Sequence, residues 1–169
     1  QTYSELDITL KKIFEHYGAE RYAFVDILNV GQEKSIKGFL TTYPQDWINH
    51  YLENKYYNYD PVFLSCGKMR LPFHWNKQTL QDLTPIQKQI FKDASAFNIQ
   101  HGTTIPLFPR ADGQSFLTIL DHLSIPPYVA YVLTIASQLY YDRRRILDAN
   151  HCINLLTYRE KEILQMKAQ

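Results

Sequence analysis

Apolar residues recur at helical spacing in several stretches of the chain. In the first stretch, Leu10 and Phe14 fall on one face, and Ser4 or Asp7 can cap the helix. Several of the later stretches open with a proline, which is typical of the first turn of a helix. The predicted helices cover residues 4–17, 44–55, a short run from Asp60-Pro61, a run from Thr84-Pro85, and Pro126 to about Asp148.

Between these helices the pattern changes to short runs rich in β-branched and aromatic residues, which are typical of strands. Two hairpins are predicted, over residues 21–41 with a turn at 29–32 and over residues 103–121 with a turn at 110–113. The segment 67–83, which contains Trp75, shows no clear period and is predicted to be irregular. Helices and hairpins in alternation place the chain in the α/β class.

The longest predicted helix carries two apolar edges. One edge consists of Val129, Val132, Ala136, Leu139 and Tyr140, and the other of Tyr128, Tyr131 and Ile135. One edge can cover the sheet and leave the other for a second copy of the chain, which favours a homodimer. The arginine run 143–145 on the same helix is predicted to be a solvated face.

Residues 149–155 break the helical pattern and are predicted to form a linker. After them, Thr157 can cap a new helix and Glu160 can complete a capping box. This last helix, within residues 156–169, cannot bury its own apolar face. The pattern therefore predicts one domain over residues 1–148 and the first helix of a second, truncated domain.

Length and composition favour a single folded core. The chain has 169 residues, of which 45% are hydrophobic and 21% charged, and its net charge is +1. No basic stripe indicates that this chain alone binds nucleic acid. Cys66 and Cys152 match no metal or redox spacing and are expected to be reduced, buried thiols. No stretch approaches the ~18 apolar residues of a membrane span and no signal peptide is evident, so we expect a cytoplasmic protein without a membrane partner.

Motifs for catalysis and metal binding are missing from the sequence. The six histidines show no spacing typical of a zinc site. There is also no G-x-S-x-G turn, no phosphate-binding glycine loop and no dinucleotide fingerprint. The sequence therefore predicts a binding protein with no catalytic residue, no metal and no cofactor.

Polar aromatic residues and one carboxylate form the candidate binding site. Trp47 and Tyr51 lie four residues apart on a predicted helix and share a face, Tyr43 precedes that helix, and Asp60 opens the next element. A buried group without a hydrogen-bonding partner costs about 1–3 kcal/mol. Spacing alone leaves two interpretations open: these groups satisfy one another, or they converge on a ligand with a carbonyl and an amide N–H.

The same residues belong to a longer pattern. Tyr43-Pro44-x-x-Trp47-x-x-x-Tyr51 is followed by Asp60-Pro61, by Trp75 after Leu71-Pro72-Phe73-His74, and by Gly102 before Thr103-Thr104-Ile105-Pro106. Over residues 3–169 this pattern resembles the autoinducer-binding domain of LuxR-type quorum-sensing regulators, and residues 156–164 resemble the start of that family's helix-turn-helix domain. The resemblance implies an α-β-α sandwich, with helices on both faces of an antiparallel sheet and the ligand between the sheet and one helical layer.

The resemblance implies an N-acyl homoserine lactone as the signal ligand. Trp47 would donate its indole N–H to the lactone carbonyl, and Asp60 would accept the amide N–H. Tyr43 and Thr118 would donate to the amide carbonyl, and Tyr51 would help to orient Asp60. Thr118 stands where other members often have serine, so its extra methyl group narrows the pocket.

A further set of residues would shape the walls of this pocket. Those near the lactone ring or the carboxylate are Pro61, Trp75, Ile90, Ala94 and Ile99. Phe39 and Phe63 fall near the acyl chain, where their bulk favours a short or differently shaped chain. For these two phenylalanines, a role in the ordinary core is the other interpretation, and both stay open.

The resemblance also implies a regulatory mechanism. Ligand would complete the core and stabilise the fold, long helices would pair two chains, and DNA would be bound only through the missing C-terminal domain. Two alternatives stand beside it. The same fold could read a different small signal, or an enzyme could act on such signals, which would require an activated nucleophile or a metal.

Overall fold

The structure, a computed structural model, describes residues 2–30, 33–76, 82–107, 113–120 and 126–155. These residues form five α-helices, one 3₁₀ turn and a five-stranded sheet. The helices are α1 (Tyr3–His16), α2 (Gln45–Glu53), α3 (Pro61–Cys66), α4 (Pro85–Ser95) and α5 (Pro127–Leu155), and the 3₁₀ turn is Tyr56–Asn58. The strands are β1 (Arg21–Val30), β2 (Glu33–Thr41), β3 (Phe73–Asn76), β4 (His101–Leu107) and β5 (Gly113–Leu120).

The strands pair in the order β2-β1-β5-β4-β3, and every neighbouring pair is antiparallel. The register sets Thr118 of β5 between Ala23 of β1 and Thr104 of β4. The pairing of β1 with β2 shifts between Asp26 and Ile27, as at a β-bulge. The two predicted hairpins therefore join into one sheet through the contact between β1 and β5.

Alternation along the strands divides the side chains between two layers. On β1, Tyr22 and Phe24 pack with α1 and α5, whereas Ala23 and Ile27 face the layer formed by α2, α3 and α4. The core on the α1–α5 side consists of Leu6, Leu10, Phe14, Ala19, Tyr22, Phe24, Ile105, Leu107, Leu117, Ile119, Val129, Leu133, Tyr140 and Tyr141. The predicted α-β-α sandwich is confirmed.

Local sequence explains where the helices begin. Asp60 caps α3 directly before Pro61, and Thr84 caps α4 in a capping box with Gln87. Helix α1 is capped by Thr2, whose side chain forms a capping box with Glu5, so the predicted caps Ser4 and Asp7 were wrong. Both Ser4 and Asp7 lie inside the helix.

Two predicted boundaries are corrected. Residues 73–76, expected to be irregular, form the edge strand β3, which pairs with β4 through Trp75 and Gly102. Helix α5 continues to Leu155, so residues 149–155 are helical and not irregular. Residues 156–169, with the predicted start of a second domain, lie outside the described residues, as do the hairpin tips at 31–32 and 108–112.

Helices α1 and α5 are joined by a partly buried polar contact. Arg144 forms an ion pair with Asp7 at 3.3 Å, and Tyr140 donates a hydrogen bond to the same carboxylate at 2.6 Å. The Arg144 guanidinium also lies 5.1 Å from the ring centre of Tyr3. The prediction of a solvated arginine face was therefore wrong for Arg144, whereas Arg143 is exposed.

Within the described ranges, no helix is long and apolar enough to span a membrane.

Candidate functional site

A cavity of about 420 Å³ lies between the sheet and the layer of α2, α3 and α4. Most of its wall is apolar, with a few polar side chains among the aromatic rings, which is typical of small-molecule sites. The lining residues are Ala23, Val25, Ile27, Phe39, Tyr43, Trp47, Ile48, Tyr51, Leu52, Tyr57, Asp60, Val62, Phe63, Trp75, Ile90, Phe91, Ala94, Ile99, Phe116 and Thr118. Among them, Phe39 on β2 and Leu52 on α2 are 46% and 44% exposed, so these two lining residues are accessible to solvent.

Trp47 on α2 supplies an indole N–H to the cavity wall. The side chain is buried, and its ring lies 5.6 Å from the ring centres of both Tyr51 and Phe97. Among the described residues, no hydrogen-bond acceptor contacts this N–H. Because an indole nitrogen can only donate, Trp47 is available to a carbonyl oxygen inside the cavity.

Asp60 supplies the carboxylate. One oxygen, Oδ1, accepts from the backbone N–H of Val62 at 2.8 Å and of Phe63 at 3.4 Å, and thereby caps α3. The other oxygen, Oδ2, accepts from the Tyr51 hydroxyl at 2.9 Å. An ionised carboxylate accepts about four hydrogen bonds. Asp60 therefore retains capacity for a donor from a ligand.

Burial controls the protonation of this pair. It raises the pKa of Asp60 above its usual value, although the hydrogen bonds from Tyr51, Val62 and Phe63 act in the opposite direction. Burial and the nearby Asp60 carboxylate raise the pKa of Tyr51 well above 10.0. Tyr51 therefore stays a hydrogen-bond donor to Asp60 throughout the physiological pH range.

The strand side of the cavity carries a chain of three hydrogen-bonding side chains. Trp75 Nε1 donates to Thr104 Oγ1 at 2.9 Å, and Thr104 Oγ1 lies 2.8 Å from Thr118 Oγ1. Trp75 and Thr118 line the cavity, whereas Thr104 is fully buried behind them. A Cβ atom on Gly102 would lie 2.9 Å from the Trp75 ring and 2.5 Å from the Ile119 carbonyl oxygen, so only glycine lets this ring lie against β4.

Two packed aromatic rings form part of the apolar wall of the cavity. Phe63 and Phe116 pack edge to face with their centres 5.6 Å apart, and both are buried beside Ile27 and Cys66. Phe63 thus belongs to the core and to the cavity wall at once. Phe39 lines the cavity but is exposed, so the core interpretation does not fit this residue.

A second carboxylate holds the helical layer together outside the cavity. Asp93 on α4 accepts hydrogen bonds from Tyr56 at 2.6 Å, from His50 at 2.9 Å and from Gln89 at 2.6 Å. These contacts tie α2 and the 3₁₀ turn to α4. Asp93 therefore stabilises the packing of α2 and the 3₁₀ turn on α4, and it is not among the residues that line the cavity.

The structure brings together the candidate residues predicted from the sequence, with one exception. Pro61 lies at the first position of α3 and is not among the lining residues, whereas the other eleven are. Of the residues that the prediction missed, Ala23, Val25 and Ile27 alternate along β1, which is a signal that could have found them. Tyr57, on the 3₁₀ turn, had no such signal.

Fold and site together define a class of protein: a domain with a mostly apolar cavity of a size that suits a small molecule. A family model for the autoinducer-binding domain matches residues 5–123, and the chain belongs to this family. It is the signal-binding part of LuxR-type transcriptional regulators and not an enzyme family, in agreement with the prediction.

Curated relatives support this assignment. The chain is 24% identical over 164 residues to the transcriptional activator BjaR1 of Bradyrhizobium diazoefficiens, covering 95% of this chain and 68% of that protein. It is 27% identical over 119 residues to the transcriptional activator TraR of Agrobacterium vitis, and this match covers 70% of this chain and 49% of TraR. The chain thus spans about half to two thirds of these relatives.

Solved structures show the same fold. SdiA in complex with octanoyl-rac-glycerol aligns with a TM-score of 0.68 at 18% identity, covering 99% of this chain and 70% of that one. The N-acylhomoserine lactone-dependent LuxR-family factor CepR2 of Burkholderia cenocepacia aligns with a TM-score of 0.57 at 18% identity. This alignment covers 80% of this chain and 95% of the CepR2 chain.

Proposed function

We propose that this domain binds an N-acyl homoserine lactone and that binding is coupled to folding, dimerisation and DNA binding of the regulator to which it belongs. The observation that carries the proposal is the donor and acceptor set of one cavity. Trp47 offers an N–H, Thr118 a hydroxyl, and Asp60 a carboxylate, all around an apolar volume. A lactone carbonyl, an amide carbonyl and an amide N–H complement these three groups.

The apolar part of the cavity wall suits an acyl chain. Each buried methylene contributes about 0.8 kcal/mol to binding, and Val25, Phe63 and Phe116 supply apolar contact surface. The polar groups then fix the orientation of the ligand. Because the ligand binds only the folded chain, its binding free energy adds to the stability of the fold.

An exposed apolar face on α5 supports the proposed homodimer. Tyr128, Tyr131 and Ile135 are 68%, 70% and 62% exposed and lie on the side of α5 that faces away from the sheet. In a homodimer, a second copy of α5 would cover this face. DNA would be bound by a further domain, whose predicted first helix lies within residues 156–169, after a helical linker at residues 149–155.

The ligand-induced rise in melting temperature tests this proposal. Medium-chain lactones are expected to raise the melting temperature of the wild-type chain, and Asp60→Ala is expected to remove that rise. Loss of the α3 cap alone costs about 1 kcal/mol, so the quantity compared is the increment caused by ligand.

Asp93→Ala is the matched control. It removes a carboxylate with three hydrogen bonds from the same helical layer but outside the cavity. This variant is expected to be less stable but to keep the ligand-induced increment. Equal increments in the wild type and in Asp60→Ala would contradict the proposal.

A monoacylglycerol is the second candidate ligand. The aligned SdiA structure contains octanoyl-rac-glycerol, and a glycerol hydroxyl could replace the amide N–H as the donor to Asp60. A larger rise in melting temperature with 1-octanoyl-rac-glycerol than with any lactone would favour this candidate.

A further inference from the structure

The Thr104 hydroxyl lies behind the cavity wall, between a lining tryptophan and a lining threonine. It is fully buried on β4, and its two hydrogen-bonding neighbours are Trp75 Nε1 at 2.9 Å and Thr118 Oγ1 at 2.8 Å. Thr104 pairs with Phe73 of β3 on one side and with Thr118 of β5 on the other. This strand register brings the three hydrogen-bonding groups together.

The direction of this chain follows from the chemistry of its members. An indole nitrogen only donates, so Thr104 Oγ1 must accept from Trp75. The Thr104 proton then needs an acceptor of its own, because an unsatisfied buried hydroxyl costs about 1–3 kcal/mol. Among the described residues, Thr118 Oγ1 is the acceptor within reach, so Thr104 donates to Thr118.

The Thr118 proton is consequently directed away from Thr104. Thr118 lines the cavity, and its oxygen already accepts from Thr104, so its own O–H is available to donate to a ligand. We propose that Thr104 is a positioning residue that, held by Trp75, turns the Thr118 hydroxyl into a fixed donor for a ligand carbonyl. This inference rests on the proposed lactone function and adds a residue that does not touch the ligand.

Indole NMR tests the hydrogen-bond chain without any ligand. The chain has two tryptophans and therefore two indole N–H signals, which Trp75→Phe assigns. In the ligand-free chain, Thr104→Val is expected to move the Trp75 signal upfield and to leave that of Trp47 in place. Thr104→Ser, which keeps the hydroxyl, is expected to restore the Trp75 signal. A Trp75 signal that is the same in the wild type and in Thr104→Val would overturn the inference.

A double-mutant cycle tests the effect on ligand binding. With N-octanoyl homoserine lactone as the probe, Thr104→Val is expected to lower affinity about tenfold, the size of one net hydrogen bond. Thr104→Ser should bind within about twofold of the wild type, and Thr104→Val should cause no further loss in a Thr118→Val background. Equal losses in both backgrounds would indicate a purely structural role and overturn the inference.

The two proposals fail in different ways. A wild-type chain that binds no lactone would contradict the proposed function, while the Trp75 indole signal would still decide the hydrogen-bond chain. If Thr104→Val binds the lactone as tightly as the wild type does, the role of Thr104 is overturned and the proposed function remains intact. If Thr104→Val does not fold, Thr104→Ala serves for the same measurements.

Discussion

Trp47 and Trp75 differ in whether their indole N–H already donates a hydrogen bond within the protein. Both are buried and line one cavity. The indole N–H of Trp75 is bound by Thr104, whereas that of Trp47 contacts no acceptor among the described residues. Only Trp47 can therefore bind a ligand carbonyl without breaking a hydrogen bond within the protein.

Trp47→Phe should weaken lactone binding through the loss of one donor. We expect affinity to fall about tenfold, or ~1.4 kcal/mol, by isothermal titration calorimetry. The matched ligand control is an N-acyl cyclopentylamide, which lacks the lactone carbonyl. The wild type and Trp47→Phe should bind it with similar affinity; an equal loss with both ligands would assign the effect to packing and contradict the role of Trp47.

At the residue scale, the sequence predicted eleven of the residues that line the cavity but missed others, such as Ala23 and Tyr57, and gave no role to Thr104 behind the wall. The spacing of Trp47, Tyr51 and Asp60 already predicted a shared location. The role of Thr104 depends on the register between β4 and its neighbours, which residue types alone do not specify. The same register explains Gly102, whose Cβ position is filled by the Trp75 ring.

At the scale of elements, most predictions that rested on a local signal succeeded, although the cap of α1 is Thr2 and not Ser4 or Asp7. Capping residues marked α3 and α4, and periodicity marked the strands of both hairpins. Strand β3 was missed because its four residues are too few to show a period, and pairing with β4 stabilises it. Helix α5 was cut short because residues 149–155 lack a clear apolar pattern.

The junction of α2, the 3₁₀ turn and α4 has a predictable pH dependence. Burial of Asp93 acts to raise its pKa, but the hydrogen bonds from Tyr56, His50 and Gln89 outweigh burial and hold the pKa below its usual value of 3.8. The unfolded chain therefore binds this proton more tightly than the folded chain. The contribution to stability is fully present above about pH 4 and is lost as the pH falls through the lowered pKa.

Asp93→Asn should remove this contribution. The melting temperature of the variant should lie furthest below that of the wild type near pH 7, and the difference should shrink as the pH is lowered below about 4. Thermal unfolding followed by circular dichroism measures the melting temperatures of the wild type and the variant at each pH. A difference that stays constant from pH 7 to pH 3 would contradict this account of Asp93.

The exposed apolar face of α5 is expected to form the interface of the proposed homodimer. Ile135→Glu should shift a dimer toward monomer in sedimentation equilibrium with lactone present, because it buries a charge at the proposed interface. Leu71→Glu, at a residue that is 75% exposed and far from α5 in the sequence, is the control and should leave the association state unchanged. A wild-type chain that stays monomeric with lactone at all concentrations would exclude the dimer.

At the scale of the whole molecule, the two helical layers have different tasks. The α1–α5 side packs a continuous core on the sheet, and the other side encloses a cavity of about 420 Å³. The family resemblance predicted both helical layers and the cavity. The spacing of apolar residues alone could not have predicted the cavity, because residues that line a cavity show the same spacing as residues of a filled core. A ligand that fills this volume would complete the second core and thereby stabilise the fold.

Native mass spectrometry shows whether the folded chain retains a lactone and in what chemical form. The chain would be expressed with and without a mixture of N-acyl homoserine lactones, alongside Asp60→Ala under the same conditions. We expect one intact lactone per wild-type chain, with its mass unchanged after long incubation, and none on Asp60→Ala. A wild-type chain that carries no lactone, or that returns a hydrolysed one, would contradict this expectation.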